Sequence, residues 1–170
     1  MTHMEGFIDS AGRAWFTDAT LRPAGARIAP MLAHAYDIDP YRAWARVAVD
    51  GCFDGPWERK YAAGTVFLRG LGAGTIQHVA GIEAVQHEFR HLLVDARWPQ
   101  LGARKSATYT GDGFVTIRDP NTAVVQEALR QIAQLVRISY SGEHPTARED
   151  WTKTLEHINE LNRPAWDQAN

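Results

Sequence analysis

Residues 87–91 read His-Glu-Phe-Arg-His. Two imidazoles four positions apart stand one turn apart on a helix, near enough to share a divalent metal ion. A glutamate beside the first can take a proton from a metal-bound water. The chemistry such a set implies is metal-assisted hydrolysis, with His87 and His91 as ligands, Glu88 as general base and zinc as the expected ion. A zinc site of this kind needs a further protein ligand and an open position for water. His144 is the first candidate for that ligand and Glu143 the second, both in the loop after the last expected strand. Asp95 would have to close the tetrahedron from the same helix as the histidines. Glu127 falls opposite the apolar stripe of its own helix. Tyr109 and Tyr140 are the candidates for stabilising an oxyanion.

The pentapeptide resembles the zinc-dependent metallopeptidases of the zincin type. Ala84, Val85, Phe89, Leu92 and Leu93 match the mostly uncharged surroundings of that motif, whereas Arg90 occupies a slot that is usually uncharged. Beside a dication its guanidinium must point away. No Gly-x-x-His follows His91, so the extended form of the motif is absent. The resemblance implies a zinc-dependent, peptidase-like hydrolase acting on a peptide. The same residues also read as a solvated helix face, on which Glu83 and Asp95 pair with His87 and His91 at i,i+4. That reading goes with a non-catalytic binding or assembly protein. Its contacts would be made by a terminal helix and exposed hairpins, and six tryptophans suit such a role.

Other stretches carry weaker chemistry. Gly70-Leu71-Gly72-Ala73-Gly74-Thr75 has the glycine content of a phosphate loop, but no Walker lysine and no third fingerprint glycine, Gln77 standing in its place. It is expected to be a turn feeding the central helix, with His78 at that helix's start. Cys52 is the sole cysteine and is expected to be a small buried residue. His34 lies in an apolar run and is expected to be packed in the core. No Ser-His-Asp or Cys-His spacing argues for a nucleophile.

The elements that must position these residues follow from periodicity. Residues 81–97 read as the central amphipathic helix, with Ile82, Val85, Phe89, Leu92 and Leu93 buried and the histidines opposite. Residues 7–21 read as a hairpin turning at Ser10-Ala11-Gly12. A short helix over 27–36 is followed by one capped by Asp39 with Pro40 at its first position, stopping at Asp50-Gly51. Residues 57–69 read as helix, with a strand from Thr65 as the alternative. A second hairpin is expected around Gly111-Asp112-Gly113, with arms 107–110 and 114–118. A helix opening at Asp119-Pro120-Asn121-Thr122 follows, buried through Val124, Val125, Ala128, Leu129, Ile132 and Leu135, and a strand over 136–141 completes a β-β-α-β unit. A terminal amphipathic helix over 146–161 carries Trp151, Leu155, Ile158 and Leu161. It docks on the body of the domain or, through 146–166, on a second copy or another protein.

These elements give an α+β chain, read as one domain over residues 1–170. A net charge of −2 and a pI of about 6.4 exclude an electrostatic case for nucleic acid or anionic membranes. The expected setting is cytoplasmic: no basic-then-apolar leader is visible, no apolar run is long enough to span a bilayer, and the lone cysteine suits a reducing interior.

Overall fold

The computed structural model describes residues 2–53, 55 and 57–142. The α+β expectation holds. Among the described residues the order is β1 (His3–Ile8), β2 (Ala14–Thr20), α1 (Ile28–Tyr36), α2 (Pro40–Asp50), β3 (Ala62–Leu68), β4 (Ile76–Ala80), α3 (Ile82–Glu88), β5 (Leu93–Arg97), β6 (Gly113–Asp119), α4 (Thr122–Leu135) and β7 (Arg137–Tyr140). The expected helix at 146–161, with Trp151 and Leu155, lies outside the described residues.

Strand β6 organises the core. It pairs antiparallel with β3 on one side and β5 on the other. Its run Gly-Phe-Val-Thr-Ile is buried at every position, as expected of a central strand covered on both faces. The one polar member, Thr116, meets the Thr65 hydroxyl at 2.9 Å, so no hydroxyl is buried unpaired there. Helix α4 packs on β3 and β6 through Val125, Ala128 and Ile132, with Leu129 and Leu135 at the margin. Asn121 caps it by accepting from the Ala123 amide, while Val124 is left exposed. The pair β4–β7 lies alongside, adding Ile76, Ile138 and Tyr140 to the same cluster. Helix α1 sits on β3, and Arg118 of β6 reaches it by donating to the Asp37 carboxylate at 2.6 Å and to the His34 carbonyl at 3.2 Å. Asp39 caps α2 through the Tyr41 and Arg42 amides.

Several expectations are corrected. The central helix does not run from 81 to 97. It starts after Gly81, ends at Glu88 and yields to a turn and then to β5. The 3.6-residue stripe is real as far as Val85, Phe89 and Leu92, all buried, but Leu92 reaches the core from the turn. From Leu93 the side chains alternate across β6 instead. Residues 62–68 are the strand β3, not helix, because Thr65, Val66 and Phe67 fit the pleat beside β6. The glycine-rich loop leads into strand β4, so His78 lies in that strand. The first arm of the second expected hairpin is no strand. Ser106, Thr108 and Thr110 link hydroxyl to hydroxyl within a turn, a local alternative to ladder bonds. Cys52 is exposed, not buried.

Candidate functional site: the two faces of the N-terminal hairpin

The first hairpin begins earlier than its sequence suggests, at His3, and its turn is held by one side chain. The Asp9 carboxylate accepts from the Ala11 amide (2.9 Å), the Arg13 amide (3.0 Å), Arg13 Nε (2.9 Å) and the Trp15 indole (3.0 Å). The indole bond above all, then those from Arg13, holds the carboxyl below its ordinary value. This clasp sets the pairing Ile8↔Ala14, Phe7↔Trp15 and Gly6↔Phe16, after which the register jumps to Glu5↔Asp18, Met4↔Ala19 and His3↔Thr20. Thr17 is therefore an extra residue, a β-bulge. Opposite it only glycine fits, since a Cβ at Gly6 would stand 2.4 Å from the Trp15 carbonyl oxygen.

The bulge sorts the side chains. One face carries Met4, Gly6, Ile8, Ala14, Phe16 and Ala19, without a polar group. The other carries His3, Glu5, Asp18 and Thr20, then Phe7 stacked on Trp15 with ring centroids 6.4 Å apart. On that polar face two carboxylates, Glu5 and Asp18, are cross-strand partners. Like charges directly opposite destabilise a bare ladder. His3 Nε2 lies 2.7 Å from Glu5 Oε1. The Thr20 hydroxyl is buried and has no hydrogen-bond partner. Two carboxylates and a hydroxyl thus share one face, and oxygen donors are the kind of ligand a hard cation takes.

The turn leaving β2 brings cationic groups. Arg22 is exposed, its guanidinium donating to the Pro23 carbonyl at 3.2 Å. Ala26 and Arg27 both adopt left-handed backbone, at φ 49° and 59°, a conformation that costs residues with a Cβ about 1–2 kcal/mol each. The Arg27 guanidinium is ion-paired with Asp95 of β5 and lies 3.6 Å from the centroid of the Phe114 ring of β6. Its Nε is buried and unpartnered. Arg27 thus ties the end of the hairpin to the central sheet.

The residues singled out from the sequence are placed as follows. His87 is in the last turn of α3, Glu88 is its final residue, and His91 lies in the turn beyond Phe89. All are exposed, and the helix that would align the two imidazoles ends before the second. A cavity of about 450 Å³ opens nearby, lined by Gln86, Arg90, Leu93, Ala96 and Trp98, with neither histidine among its lining residues. Asp95 is committed to Arg27, and Glu127 is exposed beside Arg130 and Gln131. His144 and Glu143 lie outside the described residues. Tyr109 is exposed, whereas Tyr140 is buried and donates to Asp112. His34 is half-buried, and burial, with Arg118 next, depresses its pKa, so it stays neutral. In the glycine-rich loop, carbonyls of Gly72, Ala73 and Gly74 accept from Lys105 and Gly142, so its backbone is engaged within the chain.

No family model matches the chain, and no curated protein matches it. Solved structures do. An L-amino acid ligase from Bacillus licheniformis superposes with a TM-score of 0.67 at 17% identity, over 83% of this chain and 36% of the ligase. N5-carboxyaminoimidazole ribonucleotide synthetase from Thermotoga maritima gives 0.58 at 16% identity, over 82% and 37%. Phosphoribosylglycinamide synthetase from Anaerococcus prevotii gives 0.57 at 12% identity, over 82% and 37%. These are enzymes of the ATP-grasp fold. The chain has the fold of a little over a third of their length.

That likeness overturns the metallopeptidase resemblance and, with it, the zinc-hydrolase reading. Zinc also lacks a site: among the described residues no group of three His, Cys, Asp or Glu side chains comes together. The residues of this hairpin that sequence reasoning passed over are Glu5, Asp18, Thr20 and Arg27. The alternation of His3, Glu5 and Phe7 with Met4, Gly6 and Ile8 was the available signal. No helix among the described residues is long and apolar enough to cross a membrane.

Proposed function

We propose that this chain is part of an ATP-dependent carboxylate–amine ligase. The reading rests on one observation above others: the in-register Glu5–Asp18 pair beside the unsatisfied Thr20 hydroxyl, carried on a fold shared with three ligases and synthetases. Enzymes of this fold use ATP with magnesium or manganese. Such ions take oxygen ligands and are held by one or two carboxylates, with nucleotide phosphates and water completing the shell. That stoichiometry fits Glu5 and Asp18 with Thr20, and it explains why no all-protein metal cage is needed. The ion supplies neutralisation of phosphate charge when bound.

The chain's own groups do the rest. Glu5 and Asp18 are kept opposed by the Asp9 clasp and the Thr17 bulge, so cation binding relieves a repulsion built into the fold. Arg22, two residues beyond Thr20, is placed by sequence to meet an anionic substrate or phosphate. Arg27 fixes the turn between them through Asp95 and Phe114. ATP as co-substrate agrees with a cytoplasmic setting.

The test is divalent-cation binding followed with manganese, whose paramagnetism broadens nearby signals, in the presence and absence of ATP. Asp18→Asn and Glu5→Gln should each weaken manganese–ATP binding by about tenfold or more, the loss of one charged ligand. Broadening centred on Glu5, Asp18 and Thr20 supports the reading. Manganese–ATP affinity unchanged from that of the unsubstituted protein in both variants would sink it.

A further inference from the structure

A second cavity, of about 280 Å³, lies between the end of β5 and the loop before β6, lined among others by Arg97, Trp98, Arg104, Ser106, Asp112 and Ile76. Its charges are unbalanced. Among the described residues neither Arg97 nor Arg104 has a carboxylate partner. The Arg97 guanidinium rests 5.6 Å from the centroid of the Phe114 ring. The single carboxylate in the lining, Asp112, is already engaged: it accepts the Ser106 amide at 2.6 Å and the Tyr140 hydroxyl. Burial first, and that bond to Asp112 next, push Tyr140 up to about 12, so the phenol keeps its proton and remains a donor. Asp112 therefore holds the wall and is not turned toward either arginine by an ion pair.

The wall is also rigid. Thr75 bridges to Arg104, the Ile76 amide donates to the Ala103 carbonyl at 2.9 Å, and the Gly102 amide returns to the Ile76 carbonyl at 2.8 Å. Lys105 donates its backbone amide to Gly74 at 2.9 Å and its ammonium to Gly72 at 2.6 Å. The loop that carries Arg104 is thus laced to β4 and to the glycine-rich segment before it. Guanidiniums carried on such a held backbone are forks for carboxylate or phosphate oxygens. Trp98 and Ile76 add apolar wall, and the volume suits a small metabolite rather than a drug-sized ligand.

We propose that this cavity is a binding site for a small organic anion, its carboxylate or phosphate held by Arg97 and Arg104 and its body laid against Trp98 and Ile76. The site stands apart from the hairpin carboxylates and does not depend on the ligase reading. Its test is the indole NMR signal of Trp98, identified by Trp98→Phe, during titration with inorganic phosphate and separately with succinate. A saturable shift with Kd on the order of 1 mM is expected from at least one of the two. Phosphate alone marks a phosphate-bearing ligand, and succinate alone marks a carboxylate. Arg97→Ala and Arg104→Ala should each weaken binding by about tenfold or more, whereas Asp18→Asn should leave it unchanged. If Arg97→Ala melts early, Arg104→Ala decides alone, because that side chain is exposed. No saturable shift with either anion, or an undiminished shift in a folded arginine variant, overturns the proposal.

Discussion

The β1–β2 hairpin and the β3–β6–β5 sheet are built from similar residues and meet opposite fates. In β6 every side chain from Gly113 to Ile117 is buried. In the hairpin Met4 is 54% exposed, Phe16 70% and Ile8 74%, all on one continuous apolar face. The difference is company. Strand β6 has a strand on each side and α4 and α1 packed near it, while β1 and β2 pack closely only on each other among the described residues. An antiparallel ladder with one apolar face is half of a two-layer structure. The hairpin is therefore organised by its own turn and bulge, the sheet by its burial.

Breaking the sheet should produce the largest effect. Ile117→Ala deletes fully buried volume and should cost about 2–5 kcal/mol, whereas Phe16→Ala should stay within about 0.5 kcal/mol in this chain. Urea melts of the two variants compare them directly, and equal losses would erase the distinction. Cutting the tie between the regions should come next. Arg27→Ala removes a partly exposed ion pair and uncovers the Phe114 ring, at about 1 kcal/mol, and should loosen residues 21–27 in hydrogen exchange before β6 is affected. Simultaneous loss of protection in both would mean that the hairpin and sheet unfold as one unit.

Removing the opposed charges should be smaller and of the other sign. Without divalent ions, Glu5→Gln should stabilise the hairpin by about 0.2–1 kcal/mol, seen as slower exchange at Met4 and Ala19. Destabilisation would mean that the His3–Glu5 contact outweighs the repulsion. The smallest effect concerns acid. Asp9 has its folded pKa lowered, so its contribution is present above the unfolded value and is lost as pH falls through the folded one. Below about pH 4 the turn should loosen while the sheet persists, read from Trp15 emission, and Asp9→Asn should remove that pH dependence.

What the sequence shows depends on how local the cause is. Asp39-Pro40 and Asn121 mark helix starts because capping is settled within four residues. The stripe of α4 was equally plain. The 81–97 stretch was not, since Phe89 and Leu92 satisfy a helical stripe whether or not the helix continues. Only pairing of Leu93–Arg97 with β6 decides for strand, and its partner is some twenty positions away. The Glu5–Asp18 pair stayed hidden for a related reason. Ordinary alternation puts Asp18 on the same side as Phe16, and the extra residue that separates them appears only once the register is known. His-Glu-x-x-His, by contrast, was conspicuous in the sequence and has no counterpart in the helix geometry.

Thr17 carries a consequence for how this strand can vary. Substitutions on either side of it change one side chain at a time. Deleting Thr17 itself would restore ordinary alternation, with Asp18 following Phe16 directly and staying with Thr20 on the side of Trp15, so both faces would survive the loss of the bulge. Descendants of this chain can therefore lose Thr17 without exchanging the two faces, whereas glycine should be retained at position 6 for as long as the bulge is present.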